Sequence, residues 1–165
     1  MSHGAPREVE TTWSDFERLA PDFAAAGRRL LIGSDGVAIG FLASAADGRP
    51  HLSPVCPIFC ADALYLSAPG HTPKVADLRA SGGYVLHAML GASDEEFQIA
   101  GRAREVTDPA ERASVHAAIR FAAFRRDDPI FRFSIERALW VYWERVGQPD
   151  TQAVRKRWRS RGSAA

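Results

Sequence analysis

No apolar run in the 165-residue sequence approaches the roughly 20 residues of a membrane-spanning helix. The stretch Met1 to Thr12 lacks the apolar core of a secretory signal, so the expected compartment is the cytoplasm. Cysteine is scarce. Cys56 and Cys60 are the two in the chain, and they cannot make a disulfide framework. On one extended strand they would stand roughly 13 Å apart, too far for a disulfide or a shared metal. Only a tight bend at Pro57 would bring them together, and the expectation is two buried free thiols. A charge excess is also missing. The 21 basic and 20 acidic residues leave +1, which argues against nucleic acid or a membrane surface as partner. Motifs of self-contained catalysis are absent: no Walker loop, H-E-x-x-H, C-x-x-C pair or G-x-S-x-G elbow. His51, His71, His87 and His116 lie at spacings that build no local metal site. With neither nucleophile nor proton donor on display, an enzymatic role would need a cofactor to carry the chemistry.

What is present is the composition of one globular domain, with 46% hydrophobic and 25% charged residues and enough length to bury a core. The expected layout is a mobile arm over residues 1–12, a domain over 13–150 and a basic tail over 151–165. Ser14 to Glu17 matches a capping box opening a helix that carries Phe16, Leu19, Ala20 and Phe23, with a break at Pro21. From Val37 the period changes to two. Val37, Ile39, Phe41 and Ala43 alternate along a strand that ends at Asp47-Gly48, a hairpin signal. The return strand, Arg49 to Phe59, contains Pro50, Pro54 and Pro57. Three residues without a donor cannot sit in a central ladder, so this strand is expected at an edge. Its free backbone groups suit either plain edge protection or a flat ligand rimmed with hydrogen-bonding atoms.

Ala63 to Leu66 reads as a short strand broken by Pro69-Gly70, and Thr72-Pro73 as a helix start with hydroxyl cap and first-turn proline. Strand, turn and helix opening leave amides unpaired and favour an anion, with Lys74 adding a full charge. An ordinary capped helix with a solvated lysine is the alternative. The helix should stop at Gly82-Gly83, followed by strands from Tyr84 to Leu90 and from Phe97 to Val106, the latter bending at Gly101. Asp108-Pro109-Ala110-Glu111 starts a helix expected to reach Phe124. Ile130 to Arg145 is a long strand with Leu139, Val141 and Trp143 on one face and Trp140 and Tyr142 on the other. Arg155 to Arg161 holds five cations in seven residues, and subtracting them from +1 leaves the remainder at −4. Such a run, with Trp158 inside it, suits a solvated end, or a contact to RNA or a phosphate.

From about residue 37 to 107 this order resembles the FMN-binding split β-barrel of the pyridoxamine 5′-phosphate oxidase-like family and its flavin and deazaflavin (F420) relatives. The matching residues are Ala46 to His51, Ser53-Pro54-Val55, Ala63 to Ser67, Thr72-Pro73-Lys74, Asp77-Leu78-Arg79 and Gly101-Arg102-Ala103 after Asp94-Glu95-Glu96. The resemblance implies a mainly β fold with flanking helices: a six-stranded split barrel, homodimeric, with two cofactor sites at the interface. It implies a flavin (FMN)-dependent oxidoreductase acting on a small molecule, with F420 as an alternative cofactor. A non-catalytic module holding flavin or haem is the rival, and His51 or His87 facing an open cavity would favour haem. The cofactor-binding set that follows is His51, Ser53, Pro54, Val55, Ser67, Thr72, Lys74, Trp143 and Trp158, with Arg79 or a partner's basic tail as possible help at the phosphate. Trp143 has a core or dimer-contact role as its alternative. Where the true oxidases carry Ser-Arg-Lys this chain has Thr72, Pro73 and Lys74. Where they carry arginine and lysine it has Ser53 and Ile58, and Glu96 stands for their glutamine. Their C-terminal arginine–histidine pair has no counterpart, so oxidation of pyridoxamine 5′-phosphate itself is not expected.

Overall fold

A computed structural model describes residues 10–160; residues 1–9 of the expected arm and Arg161 of the basic run lie outside the described residues. Helices α1 (Trp13–Leu19) and α2 (Pro21–Leu31) part at Ala20-Pro21, where proline starts the second helix. The capping box lies two residues earlier than predicted. Thr12 Oγ1 accepts from the Asp15 N–H at 3.2 Å, and the Asp15 carboxylate accepts from the Thr12 N–H at 3.2 Å. Glu17, expected to reach back to the cap, instead accepts from Trp13 Nε1 at 2.8 Å and from Arg28. That box lets Trp13 and Phe16 point into the core, where both are buried.

Among the described residues eight strands form one antiparallel sheet: β1 (Gly40–Ala46), β2 (Arg49–Val55), β3 (Ile58–Cys60), β4 (Ala63–Ser67), β5 (Gly83–Ala88), β6 (Glu96–Glu105), β7 (Ile130–Glu144) and β8 (Gln152–Arg159). Their order is β2-β1-β5-β6-β7-β4-β3, with β8 on the far half of β7. Six strands were expected. The count rises because Cys56-Pro57 divides the proline-rich strand into β2 and β3, and because residues assigned to the tail form β8. The Asp47-Gly48 hairpin is present, both residues at positive φ (54° and 73°), as a tight two-residue turn requires. β2 is an edge, which accommodates its prolines. Between β2 and β3 the chain bends, and the two cysteines are half-buried rather than buried, both free. Burial pushes both thiols up, with help from Asp35 at Cys56 and from Asp62 and Glu111 at Cys60. Neither is poised as a thiolate nucleophile.

The inner face of the sheet wraps a core of Leu42, Leu64, Leu86, Phe97, Ile99 and Phe133, capped by α1 and α2. Each such side chain contributes about 1.5–3 kcal/mol by leaving water. On β1 the period is as predicted and the face is not: Gly40, Leu42 and Ser44 are buried, while Phe41 and Ala43 look outward and Ile39 is exposed. A period of two cannot say which set faces in; pairing with β2 and β5 decides it. At Ala100/Gly101 the β6–β7 register shifts in a bulge. A Cβ on Gly101 would lie 2.0 Å from the Ser134 carbonyl oxygen, so only glycine fits.

Helix α3 (Pro73–Ser81) stops at Gly82, φ 69°, and packs across β1. Helix α4 (Pro109–Ala118) starts as predicted, Asp108 accepting from the Glu111 N–H at 2.7 Å. It ends at Ala118 rather than near Phe124. The Arg112 guanidinium reaches beyond the helix to the carbonyls of Arg126 (3.1 Å) and Asp128 (3.0 Å), folding the following segment back as a loop.

Candidate functional site at the opening of α3

β4 ends at Ser67, and Ala68 to His71 carry the chain into α3. Thr72 has the extended backbone of a cap, but its hydroxyl donates to the Pro69 carbonyl at 2.8 Å and caps nothing. Val75 and Ala76 N–H groups return to the Thr72 carbonyl, while the Gly70, His71 and Lys74 amides have no partner among the described residues. Lys74 makes no ion pair there either. The Ser67 hydroxyl is buried and has no hydrogen-bond partner among the described residues. Within eight residues, from the end of β4 to the first turn of α3, the chain therefore carries a buried hydroxyl, three free amides and an ammonium, all able to donate and none provided with an acceptor among the described residues. Arg79, expected as help, is engaged elsewhere: its guanidinium grips Glu105 through two bonds of 2.7 and 2.8 Å.

One turn along α3 from Lys74 lies Asp77, only 4% exposed. Its Oδ2 accepts from Ser44 Oγ and is bonded to His51 Nδ1, each at 2.8 Å. Burial pushes the carboxyl up, but the bonds from His51 and Ser44, the His51 charge and the Ala46 amide outweigh it, and the net displacement is downward. An ionised carboxylate only accepts, so Nδ1 carries the proton of this bond, and Nε2 is the ring nitrogen left over. The His51 side chain is 43% exposed, so that nitrogen is within reach of a ligand.

Of the expected residues, Thr72 and Lys74 stand at the helix opening and Ser67 at the end of the strand that leads into it, and His51 joins the same helix through Asp77. Ser53 and Val55 share the inward face of β2 with His51, whereas Pro54 and Leu52 look outward. The two tryptophans stand apart. Trp158 turns inward onto Phe16, ring centroids 4.9 Å apart, and belongs to the core margin. Trp143 lies thirteen residues along β7 from Ile130, the partner of Ser67, or about 40 Å of strand. Asp77 and Ser44 had no assigned role from sequence. No local signal marks them: Asp77 is buried in α3 with Val75 and Leu78, but two positions along a helix from Val75 it is off the Val75 face.

A concavity of about 700 Å³ lies on the outer face of the sheet and is lined in part by Ala43, Val85, Arg102, Glu136 and Arg137. It contains none of the nine expected residues, and neither His51 nor His87 lines it. His87 Nδ1 is held 2.6 Å from the Ala88 carbonyl oxygen. Among the described residues no three His, Cys, Asp or Glu side chains converge to hold a metal ion. No helix among them is long and apolar enough to cross a membrane.

No family model matches the sequence, and no curated protein does. Solved structures do. A Listeria innocua protein provisionally named pyridoxamine 5′-phosphate oxidase superposes with a TM-score of 0.58 at 15% identity, over 73% of this chain and 95% of that one. PhzG from Burkholderia lata 383, solved with tetrahydrophenazine-1-carboxylic acid, gives 0.53 at 14% identity, over 94% and 98%. The fold is the split β-barrel of the pyridoxamine 5′-phosphate oxidase-like proteins. A haem-binding protein from Mycobacterium smegmatis shares this split barrel, TM-score 0.54 at 17% identity, over 79% of this chain; the chain spans 57% of that protein's length. In this split barrel the opening of α3 sits where β4 leaves the sheet, at the end of the strand paired to the start of β7.

Proposed function

We propose that this split barrel is a flavin-dependent oxidoreductase of the pyridoxamine 5′-phosphate oxidase-like family, with FMN as cofactor and a small molecule as substrate. The observation that supports it is a helix opening with three free amides and Lys74, reached from a strand that ends on the buried, partnerless Ser67 hydroxyl. A phosphate ester supplies the acceptors that this set lacks. The residues therefore fit a phosphate-bearing cofactor, although the Thr72 hydroxyl would first have to leave Pro69. When bound, a flavin supplies the hydride or electron transfer. The chain's residues bind and orient: Ser67 and Lys74 on the phosphate, and edge backbone from Ser53 to Val55 beside the ring. Trp158, packed on Phe16, is withdrawn from any stacking role. The protein would work as a homodimer, since Ile39, Leu52, Met89 and Leu90 are exposed apolar side chains, Leu52 at 70%. Free thiols suit the reducing cytoplasm.

A second reading has its own observation. His51 donating Nδ1–H to a buried carboxylate is the arrangement of a metal-ligating histidine, which suits a haem-binding carrier or sensor. The absorbance spectrum of the purified protein, with mass analysis of what heat releases, separates these. A flavin band supports the first reading, a deazaflavin band moves it to F420, and a Soret band lost in His51→Ala selects haem. A colourless protein that takes up none of the three on titration overturns both.

A further inference from the structure

The outer face of the sheet changes character from edge to edge. Cross-strand pairing lines up Leu52, Ala43, Val85, Ala100, Arg137 and Arg159 in one row, apolar at the β2 end and cationic at the β8 end. β8 alternates. Lys156 and Trp158 turn inward, the ammonium 4.8 Å from the Trp140 ring centre and the indole against Phe16. Arg155, Arg157 and Arg159 turn outward and are exposed, and Arg137 stands directly opposite Arg159. Among the described residues none of these four guanidinium groups meets a carboxylate. Like charges facing each other across a strand pair repel, so the row is at its most stable beside a counter-charge from outside the chain.

Two further features say what that counter-charge is. Trp143, across from Ala153 on the same face, is 42% exposed and closes one end of the row. Outward residues recur every 6.7 Å or about that, so Ala153 to Arg159 spans roughly 20 Å of straight track. An indole at one end of a line of guanidinium forks matches an extended phosphodiester strand, with bases free to stack. We infer that the β7–β8 edge binds single-stranded nucleic acid, with Arg155, Arg157 and Arg159 on successive phosphates, Arg137 on a fourth beside Arg159, and Trp143 on a base. The net charge of +1 does not oppose this, because four of the 21 basic residues stand together on this edge, and subtracting them from +1 leaves the rest of the chain at −3.

The test is fluorescence anisotropy of a fluorescein-labelled 15-mer of oligo(dT), and of oligo(U), with the full chain. Four phosphate contacts on a single strand give a log–log salt slope of about −2.8, or roughly 50-fold weaker binding at 200 than at 50 mM salt. Replacing Arg155, Arg157 and Arg159 together by glutamine should bring the slope to about −0.7, while lysine at all three keeps most of it. Trp143→Leu should weaken binding and leave the slope unchanged. Truncation is avoided because it would unpair β7. No binding at 50 mM salt overturns the inference, as does an unchanged slope in a glutamine variant whose melting matches wild type. So does polyglutamate competing as well as the oligonucleotide at equal charge, which would mark an unselective anion surface.

Discussion

Replacing Asp77 by alanine tests whether three separate elements are held together by one carboxylate. Asp77 ties α3 to β1 through Ser44 and to β2 through His51. A hydrogen bond to a charged group is worth about 1.5–3 kcal/mol. The Ser44 bond lies in a fully buried setting and should count near the top of that range. His51 is partly exposed and can return to water, so its bond counts near the bottom or below. Removing the carboxylate also removes its own desolvation cost, which offsets part of the loss. The net expectation is about 2–4 kcal/mol. For a chain of this size each kcal/mol moves the midpoint by roughly 2–4 °C, so Tm should fall by about 4–15 °C at pH 7. Thermal melts followed by circular dichroism measure it. The pH dependence adds a sign. The folded Asp77 pKa lies below the unfolded value, so its contribution is whole above about pH 3.9 and is lost as pH falls through the lower folded value. The gap between wild type and variant should thus narrow only in acid, below about pH 4. A Tm loss under 2 °C at neutral pH, or a gap that closes already at pH 6, would refute the account.

Lys74→Ala should weaken FMN binding by about 1–3 kcal/mol, roughly 5- to 150-fold, read by quenching of flavin fluorescence on titration; unchanged affinity removes the ammonium from the phosphate site. Gly101→Ala drives a methyl into the Ser134 carbonyl at 2.0 Å and should cost about 3 kcal/mol or abolish soluble protein, whereas a melt within 2 °C of wild type would mean that the bulge is loose. The Tyr65 hydroxyl, pushed up to about 12 by burial and then by its bond to Glu111, should stay protonated at pH 11 in an ultraviolet titration. Because that pKa is raised, the stability it brings is whole below about pH 10 and disappears as pH climbs through 12. Glu111→Gln should move the Tyr65 midpoint downward, and a midpoint that does not move would assign the effect to burial alone.

The candidate site was half legible. Ser67, Thr72 and Lys74 could be named because strand, turn and helix opening are consecutive in the chain, and consecutive residues stay neighbours whatever the rest does. Asp77 was quoted only as part of a matching stretch. Its partners lie 26 and 33 positions away, and nothing local announces such a meeting. The departure at Thr72 is of the same kind: a hydroxyl that can cap its own helix by accepting from a first-turn N–H donates to the Pro69 carbonyl instead, a choice between nearby partners that composition does not rank.

What the amino-acid order determined by itself is what each residue's own backbone dictates. The Asp47-Gly48 turn, the Gly82 stop, the Asp108-Pro109 start and the edge position of a proline-rich strand all follow from allowed φ and missing donors. Only the tertiary structure decided which face of β1 turns inward, that residues 152–159 join the sheet, and that Trp158 packs half-buried on the core while Trp143 is exposed. These are outcomes of long-range pairing: a slip of one residue in register would exchange every inward side chain for its outward neighbour, and no local preference forbids it.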